Sequence, residues 1–88
     1  MLVKLQNGLD LEVDEKAFND MRVIDCLNEM EDNYLVVSRL LNLIMSKDEK
    51  KKLYSSLTEE DGRVPLEKFV PLLTEIMEQL KINTEVKN

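Results

Sequence analysis

Apolar and polar residues alternate along residues 3–5 and 9–13, on both sides of the pair Asn7 and Gly8. A loop of only these two residues would mix apolar and acidic side chains on one face. A three-residue loop over positions 6–8 places six apolar side chains on one face, in the pairs Leu5 with Leu9, Val3 with Leu11, and Met1 with Val13. A one-residue shift in register turns every side chain to the other face, so the pattern predicts the longer loop, with Gly8 left-handed. The strands should span about 1–5 and 9–13, with their apolar face packed on helices.

After the hairpin, apolar residues recur at steps of three and four, which is the spacing of one helical face. Asp14 is placed to cap the first helix, whose apolar positions are Ala17, Phe18, Met21, Ile24 and Leu27. Residues 34–45 are apolar almost all round, which predicts a helix buried on several sides. Ser46 and Glu49 have the spacing of a capping box at the start of a short third helix.

The segment "EEDGRVP" predicts a loop before the last helix. Gly62 permits a left-handed turn, and Pro65 suits the first position of a helix. Pro71 lacks the amide hydrogen that would bond the carbonyl of Glu67. We therefore expect either a kink at Pro71 or a short turn followed by a helix that restarts there.

These elements predict one domain, as the length of 88 residues also does. The predicted fold class is mainly α (α+β): an N-terminal β-hairpin packed on a bundle of about four helices. The domain should span residues 1–81, and the polar residues 82–88 should form a frayed tail.

The net charge of −6 disfavours nucleic acid and anionic membranes as partners. Cys26 is the only cysteine, so no disulfide can form within the chain, and its apolar neighbours predict a core position. No stretch has the pattern of a signal peptide, and no apolar run approaches the ~20 residues that span a bilayer. We therefore expect a cytoplasmic protein.

The composition offers little for catalysis or for cofactors. Histidine is absent, which excludes Ser-His and Cys-His nucleophile pairs, and one cysteine cannot build a structural zinc site. If Gly62 held the sixth position of a calcium loop, Leu57 and Lys68 would stand where acidic ligands are required. The segment at residues 55–57 also lacks the aspartate that precedes the modified serine of acyl carrier proteins. We predict no catalytic, cofactor-binding or metal-binding residues.

The last helix has an apolar stripe that allows two interpretations. The stripe can close the core against the hairpin and the second helix, or it can offer adaptable surface to a partner. The candidate partner-binding residues on it are Phe69, Leu73, Ile76, Met77 and Leu80.

Two stretches resemble a known family. The stretch "LDLEVDEKAFNDMRVIDCLNEMED" is similar to the opening of small tail assembly chaperones of long-tailed bacteriophages and prophages of Gram-positive bacteria. The stretch "KKKLYSSLTEEDGRVPLEKF" is similar to a later part of those proteins. The most specific piece combines Lys52, Leu53 and Tyr54 with residues 60–65, "EDGRVP".

The resemblance implies a protein without catalytic residues that binds the tape measure protein, a long helical chain that fixes tail length. It would keep this client soluble in the bacterial cytoplasm while tail tube subunits, a further candidate partner, assemble around it. The exposed edge of the hairpin could pair between copies to form a homo-oligomer. The alternatives are a small regulatory or inhibitory adaptor that binds one folded host protein, and a carrier of calcium or a small ligand.

Overall fold

The computed structural model describes the backbone of residues 1–87 and the side chains of residues 1–81. It is mainly helical with an N-terminal two-stranded antiparallel sheet, which confirms the predicted fold class. The elements in chain order are β1 Leu2–Lys4, β2 Asp10–Glu12, a 3-10 turn Ala17–Asn19, α1 Met21–Glu29, a 3-10 turn Tyr34–Val36, α2 Val37–Ile44, α3 Lys47–Leu57 and α4 Leu66–Lys87.

The hairpin has the predicted register, with Val3 opposite Leu11. The N–H of Leu5 donates to the carbonyl of Leu9 at 2.9 Å, which closes the three-residue loop. Gly8 has a φ of +89°, the left-handed conformation that this loop requires at its last position. The alternation of apolar side chains therefore determines the register, as predicted.

The strands are assigned over three residues each, shorter than the predicted five. Hydrogen bonding between the two arms of the hairpin nevertheless continues beyond the ends of the strands. The N–H of Val13 donates to the carbonyl of Met1 at 2.9 Å, on the side away from the loop. The regular strands are therefore shorter than predicted, but the backbone pairing extends from Met1 with Val13 to Leu5 with Leu9, as predicted.

The prediction that Asp14 caps the first helix is wrong. A 3-10 turn comes first, and α1 begins later with Asp20 as its cap, whose Oδ1 accepts the N–H of Arg22 at 2.9 Å. Asp14 instead accepts the N–H of Lys16 at 2.9 Å, and its own N–H donates to the carbonyl of Ile44 at 2.8 Å. The bond to the end of α2 is tertiary, so the local pattern could not reveal it.

The predicted cap of α3 is present, because the Oγ of Ser46 accepts the N–H of Glu49 at 3.3 Å. The returning half of a capping box would be a bond from the Glu49 carboxylate to the backbone of Ser46. That carboxylate accepts the N–H of Glu12 in β2 at 2.9 Å instead. The residue predicted to complete a local cap therefore joins α3 to the hairpin.

The last helix runs through Pro71 as one element, so of the two expected outcomes, a kink or a restart at Pro71, the restart does not occur. Proline removes one backbone hydrogen bond there, while core residues anchor the helix on both sides of it, among them Phe69 and Ile76. The frayed tail predicted for 82–88 lies outside the residues whose side chains are described, and it stays a prediction.

Both strands, the 3-10 turn Ala17–Asn19 and all four α-helices contribute to one core. Val3 and Leu11 of the hairpin are fully buried, as are Leu41 of α2 and Leu53 of α3. Cys26 is also buried, which confirms its predicted core position. Over the described residues, no helix combines the length and the apolar character needed to cross a membrane.

Candidate partner-binding groove

The predicted partner-binding stripe lies mostly inside the core. The exposed fractions are 3% for Phe69, 5% for Leu73 and 0% for both Ile76 and Leu80, while Met77 is half-buried. The interpretation that the stripe closes the core is the one that this structure matches. In this conformation the four buried side chains are not available as surface, and contact of the stripe with a partner stays a prediction.

Exposed apolar side chains lie elsewhere on the molecule. Among residues 1–81, the exposed large apolar residues are Leu2, Met21, Leu35, Leu66 and Val70. Scattered apolar residues are ordinary on protein surfaces, whereas neighbouring ones can mark a binding site. Leu66 and Val70 are four residues apart on α4, and this spacing puts them on the same side of the helix.

Leu66 also forms one side of a cavity, which we name the Leu66 groove. Its volume is about 140 Å³, and the side chains around it are those of Val37, Tyr54, Val64, Leu66 and Phe69. These residues come from α2, from α3, from the loop before α4 and from α4 itself. The groove is therefore an apolar concavity where three helices and a loop meet.

Two aromatic rings form one wall of the groove. The ring centroids of Tyr54 and Phe69 are 6.2 Å apart at an interplanar angle of 68°, an edge-to-face contact. The Nζ of Lys50 lies 5.7 Å from the Tyr54 centroid and donates to the Oγ of Ser38 at 2.8 Å and the Oδ1 of Asn42 at 2.9 Å. Lys50 therefore connects α3 to α2, and these two hydrogen bonds keep its ammonium group near the Tyr54 ring.

The loop that carries Val64 is held by hydrogen bonds of its own. The N–H of Glu59 donates to the carbonyl of Arg63 at 2.8 Å, and Gly62, with a φ of +87°, donates back to Glu59 at 2.9 Å. The carboxylate of Glu59 pairs with the Nζ of Lys68 at 3.0 Å, which ties the loop to the first turns of α4. The position of Val64 is thus set by the loop itself.

Arg63 forms its ion pair within the loop, with Asp61. Its Nε lies 3.6 Å from the Oδ2 of Asp61, whose Oδ1 accepts the N–H of Arg63 at 3.0 Å. Glu59 is already engaged by Lys68. Both ion pairs are exposed, so each contributes little to stability.

A larger and more open concavity of about 430 Å³ lies between the hairpin and the start of α3, with Glu12, Asp14 and Glu49 among its lining residues. The bond from the Glu12 N–H, followed by the bond from Lys52, lowers the pKa of Glu49. Its carboxylate is therefore engaged in holding β2 to α3. Among the described residues, no group of three or more His, Cys, Asp and Glu side chains is placed to hold a metal ion.

Of the five predicted residues, only Phe69 lines the Leu66 groove. Val37, Tyr54 and Val64 are far apart in sequence or belong to a loop, so the helical period used to choose the stripe could not find them. The available signal was the apolar pair Val64 and Leu66 on either side of Pro65, inside an otherwise charged segment.

No protein-family model, no curated protein and no solved structure matches this chain.

Proposed function

We propose that this protein is a phage tail assembly chaperone, which binds the tape measure protein and keeps it soluble during tail tube assembly without catalysis. One observation carries the proposal: both parts of the most specific motif contribute to the same groove. Tyr54 belongs to the first part, Val64 belongs to the segment "EDGRVP", and both line the Leu66 groove. A shared groove gives the two parts of the motif a common role.

The size and chemistry of the groove suit a side chain of a helical client. An apolar cavity of about 150 Å³ is large enough for one benzene ring, so the Leu66 groove can receive one large apolar side chain. Amphipathic helices bind grooves through such side chains at positions spaced by three and four residues. Val70, 41% exposed and one turn beyond Leu66, extends the apolar contact along α4.

The charge of the chain supports the same role. A net charge of −6 on 88 residues keeps a protein that offers apolar surface in solution. A chaperone of this kind would act in the cytoplasm of the bacterial host, with tail tube subunits as further partners.

The test is co-expression with the tape measure protein from the same genome, using Leu66→Asp and a matched control. Met21→Asp is that control, because Met21 and Leu66 are each the first residue of an α-helix and are 67% and 60% exposed. An aspartate is tolerated in the first turn of a helix, so both variants should fold. We expect the wild type and Met21→Asp to keep the client soluble, and Leu66→Asp to lose most of that effect.

The chaperone function is overturned if the client is equally soluble with and without this protein. The assignment of the groove is overturned if Leu66→Asp acts like Met21→Asp. A pulldown from host lysate addresses the alternative function: capture of a single folded host enzyme, lost in Leu66→Asp, would favour a regulatory adaptor.

A further inference from the structure

Lys50 is a cation that neutral groups hold in place. Its Nζ donates to the Oγ of Ser38 at 2.8 Å and to the Oδ1 of Asn42 at 2.9 Å. Within the part of the chain whose side chains are described, no carboxylate forms an ion pair with Lys50, whereas carboxylates do pair with Arg22, Arg39, Lys52, Arg63 and Lys68. The charge of Lys50 is therefore positioned without being balanced.

The ammonium group of Lys50 also keeps a donor for a further contact. A lysine ammonium has three N–H bonds, and those to Ser38 and Asn42 take two of them. Both of these hydrogen bonds lie at the surface of the protein. An acceptor from a partner can therefore bond to Lys50 without displacing either contact.

Lys50 lies beside the Leu66 groove. Lys50 and Tyr54 are four residues apart, so they share one side of α3, and the Nζ of Lys50 is 5.7 Å from the centroid of the Tyr54 ring. That ring is part of the lining of the groove. Ser38, which accepts a hydrogen bond from Lys50, follows the lining residue Val37 in α2. The unbalanced charge is therefore next to the wall of an apolar cavity.

We propose that Lys50 binds a carboxylate of the client, and that the Leu66 groove thereby selects an amphipathic helix with Asp or Glu one turn from the apolar side chain that enters it. Residues three or four apart on a helix have Cβ atoms about 5–6 Å apart. The Nζ of Lys50 lies at a similar distance from the Tyr54 ring. One client helix can therefore reach the groove and the ammonium group together. The inference rests on the proposed function, because it takes the client helix as the occupant of the groove.

The charges around the groove favour an acidic side chain at this position over a basic one. The five side chains that line the groove are all uncharged. Lys68, two residues beyond Leu66, is already paired with Glu59. A basic client residue beside Tyr54 would therefore meet the ammonium group of Lys50 with no carboxylate to balance it, whereas an acidic one gains a charge-assisted hydrogen bond.

The test measures the binding of short overlapping peptides that cover the tape measure protein from the same genome, by fluorescence anisotropy of the labelled peptides. We expect the peptides that bind the wild type to carry Asp or Glu three or four residues from a large apolar residue. Replacing that acidic residue with Asn or Gln should weaken binding about tenfold, as for the loss of a hydrogen bond to a charged group.

Lys50→Met should weaken binding of the parent peptide by a similar factor and should have little further effect on the neutral peptide, because both changes remove one contact. Lys51→Met is the matched control, since it removes the same charge from the neighbouring exposed position of α3. It should bind both peptides as the wild type does. Lys50→Glu should bind a peptide with Lys at the acidic position more tightly than the parent peptide, a reversal that an unfolded variant cannot produce.

The failures of the two proposals differ. If no peptide binds the wild type, the chaperone function is overturned and this inference with it. If peptides bind but Lys50→Met acts like Lys51→Met, or weakens the parent and neutral peptides equally, Lys50 only connects α3 to α2. The inference is then overturned while the chaperone function stands.

Discussion

The hairpin and the Leu66 groove contain similar turns but differ in how far their apolar side chains are exposed. Each depends on a glycine with positive φ, +89° at Gly8 and +87° at Gly62. The apolar face of the hairpin is buried in the core, with Leu11 fully covered. In the groove Leu66 is 60% exposed, although Phe69 beside it in the lining is buried.

The two regions also differ in how far away in sequence their polar contacts lie. The hairpin is held by side chains 69 and 75 residues away in sequence, from Glu75 to Gln6 and from Gln79 to Lys4. The loop of the groove is held from nearby, with Glu59 and Lys68 nine residues apart. The hairpin is thus held by distant parts of the chain, whereas the loop of the groove is held by neighbouring residues.

The largest difference between the two regions should appear when a leucine is truncated in each. Leu11→Ala should lower the free energy of unfolding by about 2–5 kcal/mol, because the side chain is fully buried and leaves a cavity. Leu66→Ala should change it by no more than about 0.5 kcal/mol, as for an exposed site. Urea unfolding measures both free energies, and similar losses for the two variants would contradict the difference in burial between Leu11 and Leu66.

The two glycines should respond alike in spite of this difference. No atom lies within 4 Å of a Cβ added at Gly8 or Gly62, so the cost of alanine comes from the backbone conformation alone. Each Gly→Ala variant should lose about 1–2 kcal/mol in urea unfolding, and each Gly→Asn variant should lose less, because asparagine tolerates the left-handed region better. A loss at Gly8 without one at Gly62 would mean that the loop of the groove adopts another turn.

Helix α3 contributes to both regions, and its cap should affect both. Ser46→Ala removes the acceptor for the Glu49 N–H and should cost about 1 kcal/mol of unfolding free energy. Ser55→Ala, at an exposed position inside the same helix, is the control and should have little effect. Equal losses from the two serines would show that the cap does not contribute to stability.

The smallest expected effect is a pH dependence of the unfolding free energy, caused by the hydrogen bond between Glu49 of α3 and Glu12 of the hairpin. The pKa of Glu49 is lowered by the Glu12 N–H and then by Lys52, so the folded state favours the charged carboxylate. Its contribution is therefore present above the pKa of the unfolded chain and is lost as the pH falls through the lowered pKa. Glu49→Gln should flatten the acid side of the curve of unfolding free energy against pH.

Glu67→Gln provides the matched control for that curve, since it removes the same charge from an exposed position on α4. A curve for Glu49→Gln that coincides with the curve for Glu67→Gln would show that the bond to the hairpin does not contribute in solution.

Local patterns identified several parts of this structure. The alternation around Asn7 determined the hairpin register, because side chains in a strand repeat every two residues and only one register buries the apolar set. Ser46 was recognised as the cap of α3 from its spacing to Glu49. Both features depend on residues close together in the chain, which is why composition and order were sufficient.

The same reasoning failed where a distant residue competed for a local group. Asp14 had the right position for a cap, but its backbone bonds to Ile44 and the helix starts after Asp20. Glu49 had the right spacing for a reciprocal capping bond, but β2 offers its carboxylate the Glu12 N–H. Neither outcome is visible in a helical period, since the competing partner lies in another element.

The apolar stripe of α4 shows the same limit for the candidate site. Its period correctly marked one side of a helix, but the period is the same whether that side meets the core or a partner. Packing into the core buries Ile76 and Leu80 completely, and the exposed apolar surface on α4 lies instead at Leu66 and Val70.

The sequence alone determined the register of the hairpin and the order of the helices. It also contains no histidine and no glycine-rich phosphate loop. Those properties follow from short-range periods and from composition. Which apolar residues stay exposed, and which carboxylates cover the strand edges, depends on how the elements pack. Burial and edge contacts join residues as far apart as Lys4 and Gln79, and no local pattern specifies such pairs.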